Sequence, residues 1–474
     1  MIPAPALEIA VLVWGLFLLL VESFAGKTDR RGVAYAGIGG LIIVLVASFF
    51  LAPSPAAAPT GFWSFYTGDP LAIFFKRFAL VTTIFVLVMA IDYMPAIRMG
   101  VPGANPHAGL GEFFTLPIFT CAGLMWMASA IDFVMIFVSL ELVTMSFYVL
   151  VSFTRRNPAT LEAGVKYLIL SALSTGFLVF GITWIFGVTG ETSLLRLSAT
   201  LAAQPVDHIP LLFGISLVLV ALGFKIAAVP FQIWVPDVYQ GAPTPVTAFL
   251  SVGSKAAGFV VLMRVLVPFL ALPQVGHLLV GMAALTLIYG NFAALPQSNL
   301  KRLLAYSSIA HAGYLLIGVV AVAGPAVAYY LVAYLLMTLL CFAVLIVVGN
   351  TGGDQIEDYA GLAKRSPFLA FAMLVGMISL AGVPFTAGFL GKFFIFDAAI
   401  RQHQMLLVVI GVVTVGCGFY YYLKVVRAIY WLEPASDAAP ITVSPLSRVT
   451  MTLLVAAIFV LGVYPQPILN ALAR

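Results

Sequence analysis

The sequence predicts an all-α integral membrane protein of about fourteen transmembrane helices, with two inverted five-helix repeats that each contain a proline-broken helix. Three observations predict this fold. The 474 residues are 62% hydrophobic and only 9% charged, whereas a soluble domain carries about 25% charged residues. Apolar runs long enough to cross a bilayer follow one another along the whole chain. Finally, a short motif centred on Val-Pro-Phe occurs twice inside such runs.

The apolar runs define the predicted spans, since a transmembrane helix needs about 20 mostly apolar residues. The spans are predicted at 5–24, 33–52, 71–91, 113–131, 133–153, 164–188, 210–229, 244–269, 276–295, 302–323, 325–349, 367–383 (continuing with a break to 400), 405–431 and 446–465. The longer connections, 92–112, 189–209 and 354–365, are too short for a soluble domain. We therefore expect one membrane domain over residues 1–474.

The repeated motif divides this domain. Ala-Ala-Val-Pro-Phe begins at Ala227 in the seventh span, and Ala-Gly-Val-Pro-Phe begins at Ala381 in the twelfth, so the two lie 381 − 227 = 154 residues apart. Five spans separate them, and an odd number of spans reverses the direction of the chain through the membrane. Inverted repeats of this kind are common in transporters. The predicted parts are helices 1–3 in 1–111, a first repeat of helices 4–8 in 112–270, a second repeat of helices 9–13 in 271–432, and a last helix in 433–474.

Each repeat carries a proline inside its apolar span, Pro230 in the first and Pro384 in the second. Proline lacks an N–H and clashes with the carbonyl four residues earlier, so it breaks or kinks a helix. Unpaired backbone groups are costly in lipid, which means that the break must face protein or water. A simple packing kink is the alternative. Two such prolines at matching places, each with a lysine nearby, favour a functional break.

The basic residues of the connections predict the orientation, because cytoplasmic loops carry an excess of lysine and arginine. Connections after even-numbered spans carry mainly Arg196, Arg264 and Arg401. Connections after odd-numbered spans carry many more, namely Lys27, Arg30, Arg31, Arg98, Arg155, Arg156, Lys301, Arg302, Lys364, Arg365, Lys424, Arg427 and Arg448. The odd side is therefore predicted to be cytoplasmic, with both termini on the periplasmic side of a bacterial inner membrane.

Four ionisable residues lie deep inside predicted spans: Glu141, Lys225, Lys255 and Lys392. A charged side chain at the bilayer centre costs at least about 2.5–3.5 kcal/mol, so such residues usually face the bundle interior and mark ion or proton pathways. Their positions predict that the chain moves protons or small cations.

Three further residues are weaker candidates. Glu162 and Lys166 are four residues apart near the start of the sixth span, a spacing that places acid and base on one helical face. The alternative for this pair is an interfacial ion pair whose lysine reaches the headgroups. His311 lies inside the tenth span. Imidazole titrates near neutral pH, which suits a relay, although a lone histidine in a helix bundle is often a core residue with satisfied hydrogen bonds.

The residue types favour protons over metal cations. Burial weakens the hold of a lysine amine on its proton, and a nearby carboxylate strengthens it. A switch between Glu141 and Lys225, with Lys255 and Lys392 as onward stations, therefore needs only water in the gaps. Arginine would not serve, because it does not release its proton in proteins. The hydroxyls of Ser171, Ser174, Thr175, Tyr314 and Tyr330 are candidates for ordering that water or for local hydrogen bonds to the backbone.

The sequence contains no motif for nucleotide binding, metalloprotease activity or nucleophilic catalysis. There is no P-loop, HExxH, dinucleotide fingerprint or nucleophile elbow. The three cysteines, Cys121, Cys341 and Cys417, are far apart and form no CxxC pair. The formal net charge of +5 comes from dispersed residues and does not indicate nucleic-acid binding. We expect no metal, redox cofactor or nucleotide in this chain.

Longer motifs around the candidate residues resemble the antiporter-like subunits of respiratory complex I, a family that shares its module with Mrp-type cation/proton antiporters. These motifs are Ser-Leu-Glu-Leu at 139–142, Val-Pro-Phe-Gln-Ile-Trp-Val-Pro-Asp at 229–237 and Gly-Ala-Pro-Thr-Pro-Val at 241–246. Those most specific for subunit N are Ser-Val-Gly-Ser-Lys-Ala-Ala at 251–257, Gly-Phe-Leu-Gly-Lys-Phe at 388–393 and Glu-Ala-Gly-Val-Lys-Tyr-Leu at 162–168. Subunit L is longer, with a lateral helix, and subunit M carries glutamate where this chain has Lys392.

The resemblance covers nearly the whole chain and implies a proton-translocating subunit of NADH:quinone oxidoreductase without a redox centre of its own. It implies that NADH, FMN, iron–sulfur clusters and quinone are bound by partner subunits, and that the partners in the membrane are antiporter-like and small helical subunits. An Mrp-type Na⁺/H⁺ antiporter subunit is one alternative, although lysines repel a cation. A plastoquinone- or deazaflavin-linked relative of complex I is another. A structural spacer with vestigial charges is the least consistent with four buried ionisable residues.

Overall fold

A computed structural model of the chain describes residues 5–24, 31–51, 63–101, 110–203, 207–350, 352–433 and 440–473. These residues form helices joined by short connections. The helices are α1 (Ala6–Phe24), α2 (Arg31–Ser48), α3 (Pro70–Asp92), α4 (Met94–Gly100), α5 (Glu112–Ser129), α6 (Phe133–Val151), α7 (Pro158–Thr189), α8 (Leu194–Ala203), α9 (His208–Ile226), α10 (Trp234–Gly241), α11 (Thr244–Phe249), α12 (Lys255–Leu266), α13 (Pro273–Ala294), α14 (Leu300–Val320), α15 (Gly324–Gly349), α16 (Leu362–Arg365), α17 (Pro367–Ala381), α18 (Ala387–Arg401), α19 (Met405–Trp431), α20 (Pro445–Val463) and α21 (Gln466–Ala473).

Among the described residues, thirteen helical segments are long and apolar enough to cross a membrane. One of them, Thr244–Phe269, comprises α11, a π-helical turn (Leu250–Ser254), α12 and a short 3₁₀ turn. The pair α17 and α18, with 15 residues each, accounts for the predicted twelfth span. The all-helical membrane fold is therefore confirmed, whereas the inverted relation of the two repeats stays a prediction.

Burial separates a central group of helices from a peripheral one. Most residues of Thr244–Phe269, Leu300–Val320 and Gly324–Gly349 are buried within the chain, whereas only about a third of the residues are buried in α7 and α20. Apolar character does not separate the two groups, because a lipid-facing helix is apolar as well. The central helices are also the ones that carry Lys255 and His311.

Both prolines lie between two helices. In the first repeat α9 ends at Ile226, Ala227 adopts a left-handed conformation (φ 66°), and α10 begins at Trp234. In the second, α17 ends at Ala381, Gly382 is left-handed (φ 91°), and α18 begins at Ala387. A left-handed residue directly after the last turn is a common helix C-terminus, and glycine adopts it most readily.

Several predicted positions are corrected. The sixth span begins at Pro158 and not at 164, because the Asn157 side chain accepts a hydrogen bond from Ala159 N and caps the helix. Lys301, assigned to a connection from the sequence, lies in the first turn of α14 and is buried. Lys27 and Arg30 lie outside the described residues.

Candidate functional site

Glu141 lies near the middle of α6 and is half-buried. Its Oε1 accepts a hydrogen bond of 2.6 Å from the hydroxyl of Thr175 on α7. Thr175 was one of five hydroxyl residues that the sequence suggested for ordering water, and it binds the acid directly. The carboxylate therefore sits between two membrane helices with a neutral hydrogen-bond donor.

Lys225 lies in the last turn of α9, immediately before the first break, and is 5% exposed. Its Nζ donates to the hydroxyl of Thr144 at 3.2 Å. Thr144 is three residues after Glu141 on α6, so the two side chains share one helical face. The described contacts therefore place the acid and the amine one turn apart, each bound to a threonine hydroxyl, and not in a direct ion pair.

The backbone at the first break is held by neighbouring side chains. Val229 N donates to the hydroxyl of Thr286 at 2.9 Å, and the indole of Trp234 donates to the carbonyl of Phe224 at 3.1 Å. Unpaired backbone groups cost several kcal/mol in an apolar medium. These contacts let the helix stop inside the bundle next to Lys225.

Lys255 begins α12, directly after the π-helical turn Leu250–Ser254, and is 1% exposed. Its Nζ donates to both the carbonyl and the hydroxyl of Ser308 on α14, and it lies 5.4 Å above the ring of Tyr334. Gly258, one turn further along α12, packs against the stem of Lys225: a Cβ at Gly258 would lie 3.3 Å from Lys225 Cγ. The stem of Lys225 therefore packs against the helix that carries Lys255, one turn away from Lys255.

His311, on α14, is buried between two tyrosine hydroxyls. Its Nδ1 lies 2.7 Å from Tyr330 Oη and its Nε2 lies 3.1 Å from Tyr422 Oη. Tyr422 in turn hydrogen-bonds with Ser307. A neutral imidazole donates through one nitrogen and accepts through the other, so this arrangement gives His311 a polar neighbour on each side.

Lys392 lies in α18 and points back across the second break. Its Nζ donates to the carbonyls of Leu380 (2.9 Å) and Ala381 (2.8 Å), the last residues of α17. These carbonyls lack intrahelical partners because the helix ends there. Lys392 is thus a station candidate and a helix cap at once.

Aromatic rings connect the second half of the site. The imidazole of His311 packs on the ring of Tyr334, with the centroids 5.2 Å apart, and the Nζ of Lys255 lies over the same ring. The imidazole also packs on Tyr314 (6.0 Å), whose ring lies 5.1 Å from the Nζ of Lys392. His311 is therefore separated from each of the two lysines by a single ring.

The weaker candidates Glu162 and Lys166 form the ion pair that their spacing predicts, with an N–O distance of 2.6 Å. Lys166 is 39% exposed and also binds Asp237 on α10 at 2.7 Å, while Arg302 binds the other oxygen of Asp237 at 2.8 Å. This network is separate from the buried line of Glu141 and the three lysines. It joins the second half of the first broken helix to α7 and α14.

The remaining suggested hydroxyls make local hydrogen bonds. Ser171 donates to Tyr148 Oη (2.7 Å) and Ser174 to the carbonyl of Ala221 (3.4 Å). Tyr314 donates to Thr414 (3.3 Å). These contacts tie neighbouring helices together around the site.

Sequence reasoning missed two sets of buried charges. Lys301 donates to the carbonyl of Ala242 (2.7 Å), which ends α10, in the same way that Lys392 caps α17. Glu8 and Lys76 form a fully buried ion pair between α1 and α3. A signal for Lys76 was present, because it lies inside the predicted span 71–91. Glu8, in contrast, lies near a predicted span end, where charges are ordinary.

Comparisons with known proteins identify the family of this chain. Residues 130–418, more than half of the chain, match the family model described as NADH:quinone oxidoreductase/Mrp antiporter, TM. The NADH-quinone oxidoreductase subunit N of Moorella thermoacetica is 39% identical over 471 residues, which cover 98% of this chain and 96% of that protein.

Two solved structures are similar throughout. A chain of respiratory complex I from Thermus thermophilus, solved with bound aureothin, is 31% identical with a TM-score of 0.81, covering 98% of this chain and 99% of that chain. A chain of the Mrp complex from Dietzia sp. DQ12-45-1b has a TM-score of 0.82 at 21% identity, covering 99% and 96% respectively, and shows the shared fold. With full-length identity of this order, the chain belongs to the subunit N family of NADH-quinone oxidoreductases.

Proposed function

We propose that this chain carries protons across a bacterial inner membrane as a subunit of an NADH:quinone oxidoreductase. The protons would pass along a line of four charges inside the bundle, namely the half-buried Glu141 and the buried Lys225, Lys255 and Lys392. The observation that carries the proposal is the continuity of this line. Each charge lies inside the bundle, and each is one helix contact or one aromatic ring from the next polar group.

The contacts suit transfer of protons more than binding of a metal cation. The lysines are held by oxygens that accept hydrogen bonds, Thr144 for Lys225 and Ser308 for Lys255. A lysine amine can give up its proton when buried and recover it from a neighbour, which arginine cannot do. Hydroxyl groups both donate and accept, so they pass a proton without storing charge.

His311 is proposed to connect the last two lysines. Its two nitrogens contact the hydroxyls of Tyr330 and Tyr422, and the rings of Tyr334 and Tyr314 separate it from Lys255 and Lys392. A proton arriving at one nitrogen can leave from the other after a change of tautomer. Water would be required across the ring contacts.

The driving force would come from other subunits. The relatives at this level of identity are named as subunits of NADH-quinone oxidoreductase. We therefore propose that NADH oxidation and quinone reduction, with the flavin and iron–sulfur centres they need, take place in partner chains that bias the charges of this one electrostatically. The excess of basic residues in the odd-numbered connections supports placing both termini on the periplasmic side.

The test uses the intact complex reconstituted in vesicles. Glu141→Gln and Lys225→Met are each expected to assemble, to retain NADH oxidation and to lower the ratio of protons moved to electrons transferred. Lys364→Met is the matched control, because Lys364 is 66% exposed and pairs with an exposed glutamate. An unchanged ratio in both buried variants would contradict the relay. Sodium-dependent proton movement without NADH would favour the antiporter alternative.

A further inference from the structure

A buried acid–base pair lies away from the proposed relay, in the first three helices. The Nζ of Lys76 on α3 is 2.8 Å from Oε1 of Glu8 on α1, and the side chains are 1% and 0% exposed. Removing one partner of such a pair leaves an uncompensated buried charge, and the pair itself is costly to desolvate. We therefore ask which function offsets the cost of burying this pair in an apolar bundle.

The two oxygens of Glu8 have unequal surroundings. Oε1 accepts hydrogen bonds from Tyr66 Oη (3.1 Å) and Ser129 Oγ (3.4 Å) in addition to the lysine. Oε2 is buried and has no hydrogen-bond partner among the described residues. A buried polar atom without a partner costs about 1–3 kcal/mol. A carboxylate held only for structure would be expected to use both oxygens, so Oε2 has the character of a position that binds something else.

The pair lies at one end of the bundle, under an aromatic cover. Glu8 is three residues into α1, and Lys76 is seven residues into α3. Tyr66, which contacts both charges, packs against Trp63 and Trp126, whose own rings stack at 6.3 Å. The positive-inside pattern places this end at the periplasmic face.

The same end is tied to the helix that carries Lys255. Arg264, nine residues after Lys255 on α12, binds both oxygens of Asp69 and the carbonyl of Ala128. Asp69 caps α3, and Ser129, next to Ala128, contacts Glu8. Nine residues of α-helix span about 13.5 Å. Asp69 and Ser129 therefore join the pair to the periplasmic end of α12, the helix that carries Lys255.

We propose that Glu8, paired with Lys76, is a proton-binding site of the N-terminal helices that exchanges protons with the periplasmic aqueous phase. A hydronium ion gives its proton to Oε2, which forms a carboxylic acid and one water molecule; release is the reverse step. Lys76 keeps its charge throughout. Besides Tyr66, two titratable groups lie within electrostatic reach of the pair. Cys121 is near Glu8, and Asp69 is near Lys76. The inference rests on the proposed proton-translocating function and adds a site to it.

Infrared difference spectroscopy of the intact complex tests proton binding without relying on activity. Lowering the pH is expected to produce the C=O stretch of a protonated carboxylic acid that shifts in D₂O and is lost in Glu8→Gln. Ser129→Ala, which removes one hydrogen bond from Oε1, is expected to move this band. A spectrum in which Glu8→Gln loses no such band would show a permanent ion pair and overturn the proposal.

Proton pumping in vesicles separates this inference from the proposed function. Glu8→Gln is expected to lower the ratio of protons to electrons, and Glu191→Gln, which removes an acid paired with Arg196 in a connection predicted at the same face, is expected to leave it unchanged. If Glu141→Gln lowers the ratio and Glu8→Gln does not, this inference fails and the relay stands. If neither lowers it, the proposed function itself fails. If Glu8→Gln does not assemble, the infrared band of Ser129→Ala decides: a shifted band supports the proposal, and an unmoved band overturns it.

Discussion

Lys392 offers a test that separates the structural role of a buried lysine from its proposed role as a proton station. Lys392→Met removes the donors for the carbonyls of Leu380 and Ala381 at the second break. An unsatisfied buried polar group costs about 1–3 kcal/mol, so two carbonyls predict a loss of about 2–6 kcal/mol. This is a large share of the about 5–15 kcal/mol that stabilises a folded domain.

Lys392→Arg restores the hydrogen-bond donors but not the ability to release a proton. A guanidinium can bind both carbonyls, and its positive charge still suits the C-terminal end of α17. It does not release its proton in proteins. We therefore expect the arginine variant to recover assembly and thermal stability while proton pumping stays lost.

Both quantities are measured on the purified complex. Thermal unfolding in detergent should show a lower midpoint for Lys392→Met than for Lys392→Arg, and vesicle assays should show impaired pumping in both. A methionine variant as stable as the wild type would refute the capping argument. An arginine variant that pumps at the wild-type ratio would refute the relay role. Lys392→Gln, which keeps a donor without charge, shows whether a poor result with arginine comes from its larger size.

Three further predictions follow from the contacts. Glu162→Gln should change the thermal midpoint little, because an exposed pair contributes about 0.2–1 kcal/mol, whereas Asp237→Asn should lower it more, since that carboxylate binds two cations. Gly391→Ala should destabilise the complex by about 1–3 kcal/mol, because its Cβ would overlap the ring of Tyr330. Burial alone would raise the pKa of Asp69, but hydrogen bonds from Arg264 hold it below its usual value. Its stabilising contribution is therefore present at neutral pH and is lost as the pH falls through the lowered pKa, so the midpoints of wild type and Asp69→Asn should converge on acidification.

The sequence was sufficient to locate the spans and the four central charges. Hydropathy sets the length of a membrane helix, and a charged side chain such as Glu141 or Lys255 stands out in an apolar run. The i,i+4 spacing also predicted the ion pair of Glu162 with Lys166. These features depend on neighbours along the chain, which is why composition and periodicity reveal them.

Contacts between distant helices could not be predicted in this way. Glu8 and Lys76 are 68 residues apart, and nothing in either segment indicates the other. Lys301 was assigned to a connection because the predicted tenth span began at 302, yet α14 begins at Leu300 and buries the lysine. The reach of Lys392 back across its break depends on the left-handed Gly382, a conformation that a sequence allows without requiring.

Each break has a lysine beside it, and the two amines are held in different ways. The repeat offset of 154 residues relates Lys225 to position 225 + 154 = 379, where the chain has a serine, so the lysines are not equivalent by sequence. Lys225 lies in the last turn of α9, whereas Lys392 reaches the last carbonyls of α17 from the following helix. The Lys392 amine thus lies at the C-terminal end of a half-helix, where unpaired carbonyls concentrate negative partial charge, whereas the Lys225 amine is held by the Thr144 hydroxyl on α6. A lysine held by carbonyl or hydroxyl oxygens inside the bundle can be retained without a permanent carboxylate partner. Such a lysine stays free to respond when a charge moves nearby, which is the property that a proton station requires.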